Sequence, residues 1–172
     1  MQGVLRSHRL LLQPAASADA RRLIAINEPT TQERIKQIIE DQLHWWRDYS
    51  YGLWLIVLPT TEEVAGWCGL RPQDSPSEPE LVFGLAESER KRGFATEAVQ
   101  AVLAYGFSLP TIQSVWAATN TNNWASEAVM KRAGMSYETQ KELDGVLSVI
   151  YRIRAQSARV KCRSSGKDHG EF

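Results

Sequence analysis

Apolar residues along this chain follow two spacings, which together predict an alternation of strands and helices. Short apolar runs bounded by proline, glycine or charged turns are typical of strands. Such runs occupy residues 9–13, 53–58, 64–70, 80–86, 112–118, 135–142 and 146–154. The last two runs flank Asp144 and Gly145, a dipeptide that favours a tight hairpin.

Four other segments carry apolar residues at helical spacing, which predicts helices at about 17–26, 31–49, 95–107 and 124–133. In the second segment the apolar positions are Ile35, Ile39, Leu43 and Trp46. The order of elements predicts a single α/β (α+β) domain with a mixed, mostly antiparallel sheet. We expect about seven strands and about four flanking helices. The apolar pattern stops after residue 154, so residues 1–154 are the predicted domain and 155–172 a disordered tail.

Composition narrows the class of function. The chain has 172 residues, of which 43% are hydrophobic, with 20 basic and 20 acidic side chains. This balance gives no general attraction to nucleic acid or to an anionic membrane. Its three histidines and two cysteines are scattered, so neither a metal site nor a disulfide framework is expected. No apolar run is long enough to span a membrane, and we expect a cytoplasmic protein.

Any affinity for an anion must therefore be local, and residues 90–101, RKRGFATEAVQA, offer one candidate. This stretch follows a predicted strand and leads directly into a predicted helix. Cationic side chains, a glycine and the unpaired N–H groups of a helix N-terminus together favour a phosphate ligand. The alternative is an ordinary strand-to-helix turn with solvated arginines. The nucleoside-triphosphate motif GxxxxGK[ST] does not occur in the chain.

Two motifs in order resemble those of the GNAT family, the GCN5-related N-acetyltransferases. The first, [Q/R]-x-x-G-x-[G/A], is matched by Arg90, Gly93 and Ala95. The second, N-x-x-S/A followed by a helix that ends near K-x-G-F, is matched by Asn123, Ser126, Lys131, Gly134 and Met135. The runs RLLLQ and WCGL look like the ribosomal-protein N-terminal acetyltransferase branch. The resemblance extends from about Arg9 to Arg154.

This resemblance implies that acetyl-CoA is the cosubstrate and that no metal is needed. Its pantetheine arm would pair with the end of the fourth predicted strand, and its pyrophosphate would lie at the turn. The residues so implied are Phe83, Gly84, Leu85, Arg90, Lys91, Arg92, Gly93, Phe94, Ala95, Thr96, Asn123 and Ser126. Lys91 stands where many family members have a glycine, which leaves the tightness of the turn to be determined.

The catalytic residues we predict are Glu80 as general base and Ser126 as the acid for the departing thiolate. Glu80 begins a buried strand next to the expected cleft; alternatively it is a solvated glutamate at the strand edge. The tyrosine that many family members use as acid would fall at Met130, whose thioether cannot donate a proton. Ser126 could instead be a passive residue of a helix that Asn123 caps. Cys68 is expected to be an inert buried thiol rather than a nucleophile, and Glu97 to complement the helix dipole.

The predicted activity is N-acetylation of a primary amine, either a protein α-amine or a small amine, by direct attack in a ternary complex. The alternative is a non-catalytic module that binds or senses acyl-CoA on the same fold. The expected partner is the amine substrate, with no nucleic acid or membrane, for a monomer or homodimer. An aromatic cluster could pack against the sheet or line a substrate pocket. Its members are Trp45, Trp46, Tyr49 and Tyr51.

Overall fold

A computed structural model of the chain describes residues 3–15 and 32–155. The strands are Leu5–Arg6 (β1), Leu11–Pro14 (β2), Leu53–Val57 (β3), Val64–Arg71 (β4), Glu80–Leu85 (β5), Ser114–Asn120 (β6), Ser136–Leu143 (β7) and Val146–Arg154 (β8). The helices of the described residues are Gln32–Tyr49 (α1), Phe94–Ser108 (α2) and Trp124–Arg132 (α3), with a 3₁₀ turn at Glu87–Glu89. The helix predicted at 17–26 and the predicted tail lie outside the described residues.

The strands form one sheet in the order β1-β2-β3-β4-β5-β6-β8-β7. Neighbouring strands are antiparallel except β5 and β6, which are parallel. This confirms the mixed, mostly antiparallel sheet. It has eight strands rather than about seven because Leu5–Arg6 turns back onto β2, where Ser7 donates its N–H to the Leu10 carbonyl at 3.0 Å.

The two faces of the sheet follow the period of two in the sequence. Leu81, Phe83 and Leu85 of β5 join the main core with α2 and α3, whereas Val82 joins a second cluster under α1. The predicted hairpin between β7 and β8 is confirmed. Its two turn residues have the positive φ angles, 49° and 78°, that a tight hairpin requires.

Helix α1 confirms the predicted helix but presents a different face to the sheet. Leu43, placed on the apolar stripe by its spacing, is 46% exposed, so that assignment was wrong. Gln42 is fully buried instead: its amide nitrogen donates to the Ala15 carbonyl, and its amide oxygen accepts from the Leu53 N–H at 3.3 Å. Through these bonds the Gln42 side chain links Ala15, the residue after β2, to Leu53 of β3.

The aromatic cluster packs mainly against the sheet. Trp46 stands edge-on to Trp54 of β3, with ring centroids 4.7 Å apart. Trp45 contacts the second cluster, and Tyr51 is buried with its hydroxyl donating to the Pro76 carbonyl at 2.9 Å. The packing interpretation therefore accounts for these three side chains. Among the described residues, no helix combines the length and the apolar character that a membrane crossing requires.

Candidate functional site

The site begins where the two parallel strands part. Strands β5 and β6 are in register at Glu80 and Trp116, and the Trp116 N–H donates to the Pro79 carbonyl at 3.2 Å. Because this carbonyl points toward β6, strand alternation points the backbone groups of Leu81, Phe83 and Leu85 the same way. No further β5–β6 register is found in the described residues, so the sheet opens beyond Glu80 into a gap. The β5 edge of this gap pairs with no strand, although its Leu85 carbonyl accepts a hydrogen bond from the Arg90 side chain.

The backbone groups of Gly84 point in a different direction from those of Phe83 and Leu85. It pairs with Trp67 of β4, so its backbone groups point away from the gap. A Cβ on Gly84 would lie 2.9 Å from the Trp67 indole nitrogen. Glycine is therefore needed here for close packing of the two strands.

At the open end of β5 the chain turns into α2 with unpaired donors exposed. Gly93 is the N-cap, with φ of 82° and no side chain capping the helix. The first helical bond runs from the Glu97 N–H to the Gly93 carbonyl at 3.2 Å, which leaves the N–H groups of Phe94, Ala95 and Thr96 without helical partners. Lys91 adopts φ of 62°, so the turn keeps a glycine-like conformation although lysine occupies that position.

Two of the three cationic side chains of the turn have partners among the described residues. Arg90 donates to the Leu85 carbonyl at 3.3 Å, and Arg92 pairs with Glu89 at 2.6 Å. Lys91 is exposed and has no partner among the described residues. Phe94 is buried beneath the turn, so only its backbone can reach a ligand. Arg90 and Lys91 are thus the cations of this turn that no carboxylate of the described residues neutralises.

An arginine outside both motifs holds this turn in place. Arg9 lies 4.8 Å from the Phe94 ring centroid and donates to the Arg92 carbonyl at 2.9 Å. It also pairs with Glu97, whose carboxylate accepts the Arg9 N–H at 2.7 Å and Nε at 2.8 Å, and the Ser7 hydroxyl at 2.7 Å. Burial opposes ionisation of Glu97, but these hydrogen bonds outweigh it and lower its pKa. Glu97 therefore anchors the N-terminal segment to the first turn of α2.

The start of α3 lies beyond the end of β6, on the other side of the gap. Asn123 caps this helix, and its side-chain oxygen accepts the Ser126 N–H at 3.1 Å. Ser126 is half-buried and Asn123 is exposed. The capping role of Asn123 is confirmed, and it leaves the amide nitrogen of Asn123 and the hydroxyl of Ser126 for other partners.

Glu80 is buried where the gap begins, with 8% of its surface exposed. Its Oε2 accepts hydrogen bonds from Arg71 Nη2 at 2.5 Å and from Gln73 Nε2 at 2.9 Å. The carboxylate is thus held in one position by two neighbouring side chains. It is not the solvated edge glutamate that the sequence left as an alternative.

Three further side chains bear on the chemistry, those of Met130, Tyr151 and Cys68. Met130 is 1% exposed and belongs to the core. Close by, Tyr151 donates to Glu127 at 2.7 Å, and burial together with this bond raises the pKa of Tyr151. Cys68 is fully buried, which raises the pKa of its thiol and disfavours a nucleophilic thiolate. Nowhere in residues 3–15 and 32–155 do three metal-ligating side chains group closely enough to hold a metal ion.

This arrangement fits an elongated ligand that ends in a diphosphate. The unpaired edge of β5 offers hydrogen bonds to an extended amide chain. The α2 N-terminus, with Arg90 and Lys91, offers donors and positive charge to phosphates.

The sequence model of the acetyltransferase (GNAT) domain family matches residues 9–136. The chain belongs to the GNAT acetyltransferase family. A GNAT member uses acetyl-CoA as its acetyl donor, which agrees with the shape of the gap and turn. The family model ends at the start of β7, so the last hairpin of this GNAT domain lies beyond the match.

Solved structures share the fold of this GNAT domain. One, described as a GNAT-family acetyltransferase from Bordetella pertussis, has a TM-score of 0.79 at 23% identity, covering 87% of this chain and 98% of its own. An acetyltransferase from Agrobacterium tumefaciens C58 gives 0.75 at 26% identity, covering 88% and 94%. The ribosomal-protein α-N-acetyltransferase RimL in complex with coenzyme A gives 0.74 at 17% identity, covering 88% and 97%.

A curated relative, the uncharacterised protein YkkB of Bacillus subtilis (strain 168), is 31% identical over 93 residues. That match covers 53% of this chain, and the chain spans about half the length, 54%, of YkkB.

Proposed function

We propose that this GNAT protein transfers the acetyl group of acetyl-CoA to a primary amine by direct attack within a ternary complex. The observation that carries the proposal is the unpaired edge of β5, which leads straight to the uncapped N-terminus of α2. Pantetheine amides and a pyrophosphate follow one another along coenzyme A in the same order. Phe83 and Leu85 would meet the amides, while Arg90, Lys91 and the first turn of α2 would meet the phosphates.

The reaction sets requirements that the site can meet. The amine nitrogen must be neutral to attack the thioester carbonyl; at pH 7 about one α-amine in ten is neutral, against about one lysine side chain in 2,000. As the C–N bond forms and the C–S bond breaks, the nitrogen loses a proton to a base and the departing thiolate takes one up. We assign the first step to Glu80 or a water next to it, and the second to Ser126.

Direct transfer, rather than an acetyl-enzyme, is supported by the environment of Cys68. Its thiol is fully buried on β4, and burial disfavours the thiolate form that a nucleophile needs. After rapid mixing with labelled acetyl-CoA alone, we expect no stoichiometric label on the protein. Stoichiometric acetyl-protein would contradict the ternary-complex route.

The acceptor we propose is a primary amine of a small molecule or of a protein N-terminus. RimL is an acetyltransferase of a ribosomal-protein α-amine, which makes a protein N-terminus one class to test. A screen that follows release of free coenzyme A thiol should include N-terminal peptides, polyamines, amino acids and small aryl or alkyl amines. We expect thiol release that depends on the amine.

One observation favours a second function, a module that only binds acyl-CoA. The position of the family tyrosine is occupied by the buried Met130, which cannot protonate a thiolate. Tight acetyl-CoA binding with no amine-dependent thiol release across the screen would favour this module. If turnover is found, Ser126→Ala should lower kcat by about tenfold to a hundredfold. Ser126→Thr, which keeps a hydroxyl, should retain most of the activity.

A further inference from the structure

Helix α3, whose start carries two of the candidate ligand-binding side chains, is held unevenly against the sheet. Its second half is anchored by Met130, the one buried residue of the helix. Its first turn has little such packing, because Trp124 is 76% exposed and Ala125 is also exposed. The position of Asn123 and Ser126 relative to β6 must therefore be set by something other than buried apolar surface.

One side-chain hydrogen bond joins this first turn to the sheet. The Tyr151 hydroxyl on β8 donates to Glu127 Oε1 at 2.7 Å. Within residues 124–127, no other side chain hydrogen-bonds to a strand in the part of the chain that the structure describes. The Glu127 N–H donates to the Asn123 carbonyl at 3.1 Å, and the Asn123 side chain accepts the Ser126 N–H at 3.1 Å. A shift of Glu127 is therefore passed directly to Asn123 and Ser126.

The bond between Tyr151 and Glu127 has an ionised acceptor. Lys131, one turn further along α3, donates to the same Glu127 oxygen at 2.5 Å. The hydrogen bonds from Lys131 and Tyr151 lower the pKa of Glu127, so Glu127 is a carboxylate at neutral pH. Hydrogen bonds to a carboxylate are roughly twice as strong as those between neutral groups. The three side chains thus hold the Glu127 carboxylate between α3 and β8.

Tyr151 is itself fixed by the sheet. It is buried, with 3% of its surface exposed, and its ring stands edge-on to that of Tyr137, with centroids 5.9 Å apart. In the sheet it pairs with Ala117 of β6, the strand that borders the gap. The Tyr151 hydroxyl therefore gives the start of α3 a reference point that belongs to the floor of the site.

We propose that Tyr151, acting through Glu127, is a positioning residue that sets Asn123 and Ser126 against the pantetheine end of acetyl-CoA. This inference rests on the proposed function, because it requires coenzyme A in the gap between β5 and β6. A misplacement of about 1 Å in a group that meets a substrate can cost about a hundredfold in rate. The phosphates would lie at α2, on the other side of the gap, so the loss of the Tyr151 hydroxyl should be felt at the pantetheine end alone.

Tyr151→Phe tests this role, because it removes the hydroxyl and keeps the buried ring. The probes are coenzyme A and 3′-phospho-ADP, the nucleotide half of coenzyme A without its pantetheine arm. Each is titrated calorimetrically into the full chain. We expect Tyr151→Phe to bind coenzyme A about threefold to tenfold more weakly than wild type and to bind 3′-phospho-ADP equally. A general loosening of the fold would instead weaken the binding of both ligands.

Tyr137→Phe is the matched control. Tyr137 pairs with Tyr151 from the neighbouring strand, is 57% exposed, and its hydroxyl has no hydrogen-bond partner among the described residues. This variant should bind both ligands as wild type does. Glu127→Ala tests the pair: it should lose at least as much coenzyme A affinity as Tyr151→Phe, and the double variant should lose no more than Glu127→Ala alone. Additive losses would mean that Tyr151 does not act through Glu127.

Turnover gives a second reading wherever an amine is acetylated. Tyr151→Phe should then lower kcat in the wild-type background and leave it unchanged in Ser126→Ala, because the hydroxyl that Tyr151 positions is already absent. An equal fall of kcat in both backgrounds would contradict a role through Ser126.

Failure of the positioning role and failure of the proposed function are distinguishable. Equal coenzyme A affinity of Tyr151→Phe and wild type, or an equal loss for both ligands, would overturn the positioning role whether or not acetyl transfer occurs. If the affinities change as expected but no amine gives thiol release, the transfer proposal fails and the role of Tyr151 in binding stands. If the wild-type protein does not bind coenzyme A, both proposals are wrong.

Discussion

Replacing Glu97 by glutamine should loosen the turn at Gly93, because Glu97 holds that turn through Arg9. Its carboxylate accepts hydrogen bonds from the Ser7 hydroxyl and from the backbone N–H and Nε of Arg9, all within 2.8 Å. Arg9 in turn donates to the Arg92 carbonyl next to Gly93. Glutamine keeps the size and one acceptor oxygen but places an N–H₂ group against the guanidinium, so Arg9 loses its anchor.

The magnitude follows from the burial of the two partners. The Glu97 side chain is 17% exposed and that of Arg9 is 44% exposed. Hydrogen bonds to charged groups contribute about 1.5–3 kcal/mol when buried, and solvent exposure of Arg9 reduces this toward the surface value. We expect the free energy of unfolding to fall by about 1–2 kcal/mol, which lowers Tm by about 2–8 °C. Coenzyme A should bind about threefold to tenfold more weakly, because Gly93 and the first turn of α2 are less fixed.

Thermal unfolding and calorimetric titration with coenzyme A measure both effects. Asp48→Asn is the matched control, since it removes a carboxylate 2.7 Å from Arg47 in an exposed pair within α1. This control should change neither Tm nor affinity. If Glu97→Gln behaved like the control in both assays, the idea that Arg9 and Glu97 position the turn would be wrong.

Three further outcomes follow from single positions. Lys91→Gly should raise the free energy of unfolding by about 0.5–1 kcal/mol, because lysine at φ of 62° is strained. The same variant should bind coenzyme A about threefold to fivefold more weakly, because it has lost a cation. Lys91→Ala keeps the strain, so it should lose affinity without gaining stability. Gly84→Ala should destabilise the fold by about 1–3 kcal/mol in chemical denaturation, because its Cβ would lie 2.9 Å from Trp67. The pKa of Glu97 is lowered from its ordinary 4.5, so the Glu97 carboxylate stabilises the fold fully above pH 4.5 and loses this effect as the pH falls through the lowered pKa. Acid unfolding curves should therefore be steeper for wild type than for Glu97→Gln. Parallel curves would contradict this.

The spacing of residue types along the chain alone determined several local features of this protein. The alternation along β5 assigns Leu81 and Val82 to opposite faces, because successive side chains of a strand point to opposite sides. Asp144 and Gly145 specified their hairpin, since a tight turn needs residues that tolerate positive φ. Gly93 and the residues around it indicated an anion site because a helix N-terminus carries its unpaired donors wherever it lies.

Only the tertiary structure decided which distant residues meet. Arg9 reaches Glu97 across 88 positions, and no local pattern around either residue announces the contact. The register of Glu80 with Trp116 and the parting of β5 from β6 depend on long-range pairing of strands. Gln42 shows the same limit: it is buried because its amide bonds the backbone groups of Ala15 and Leu53, which are distant from it in sequence. Sequence sets what each segment can become, whereas the free energy of packing the segments together selects their partners.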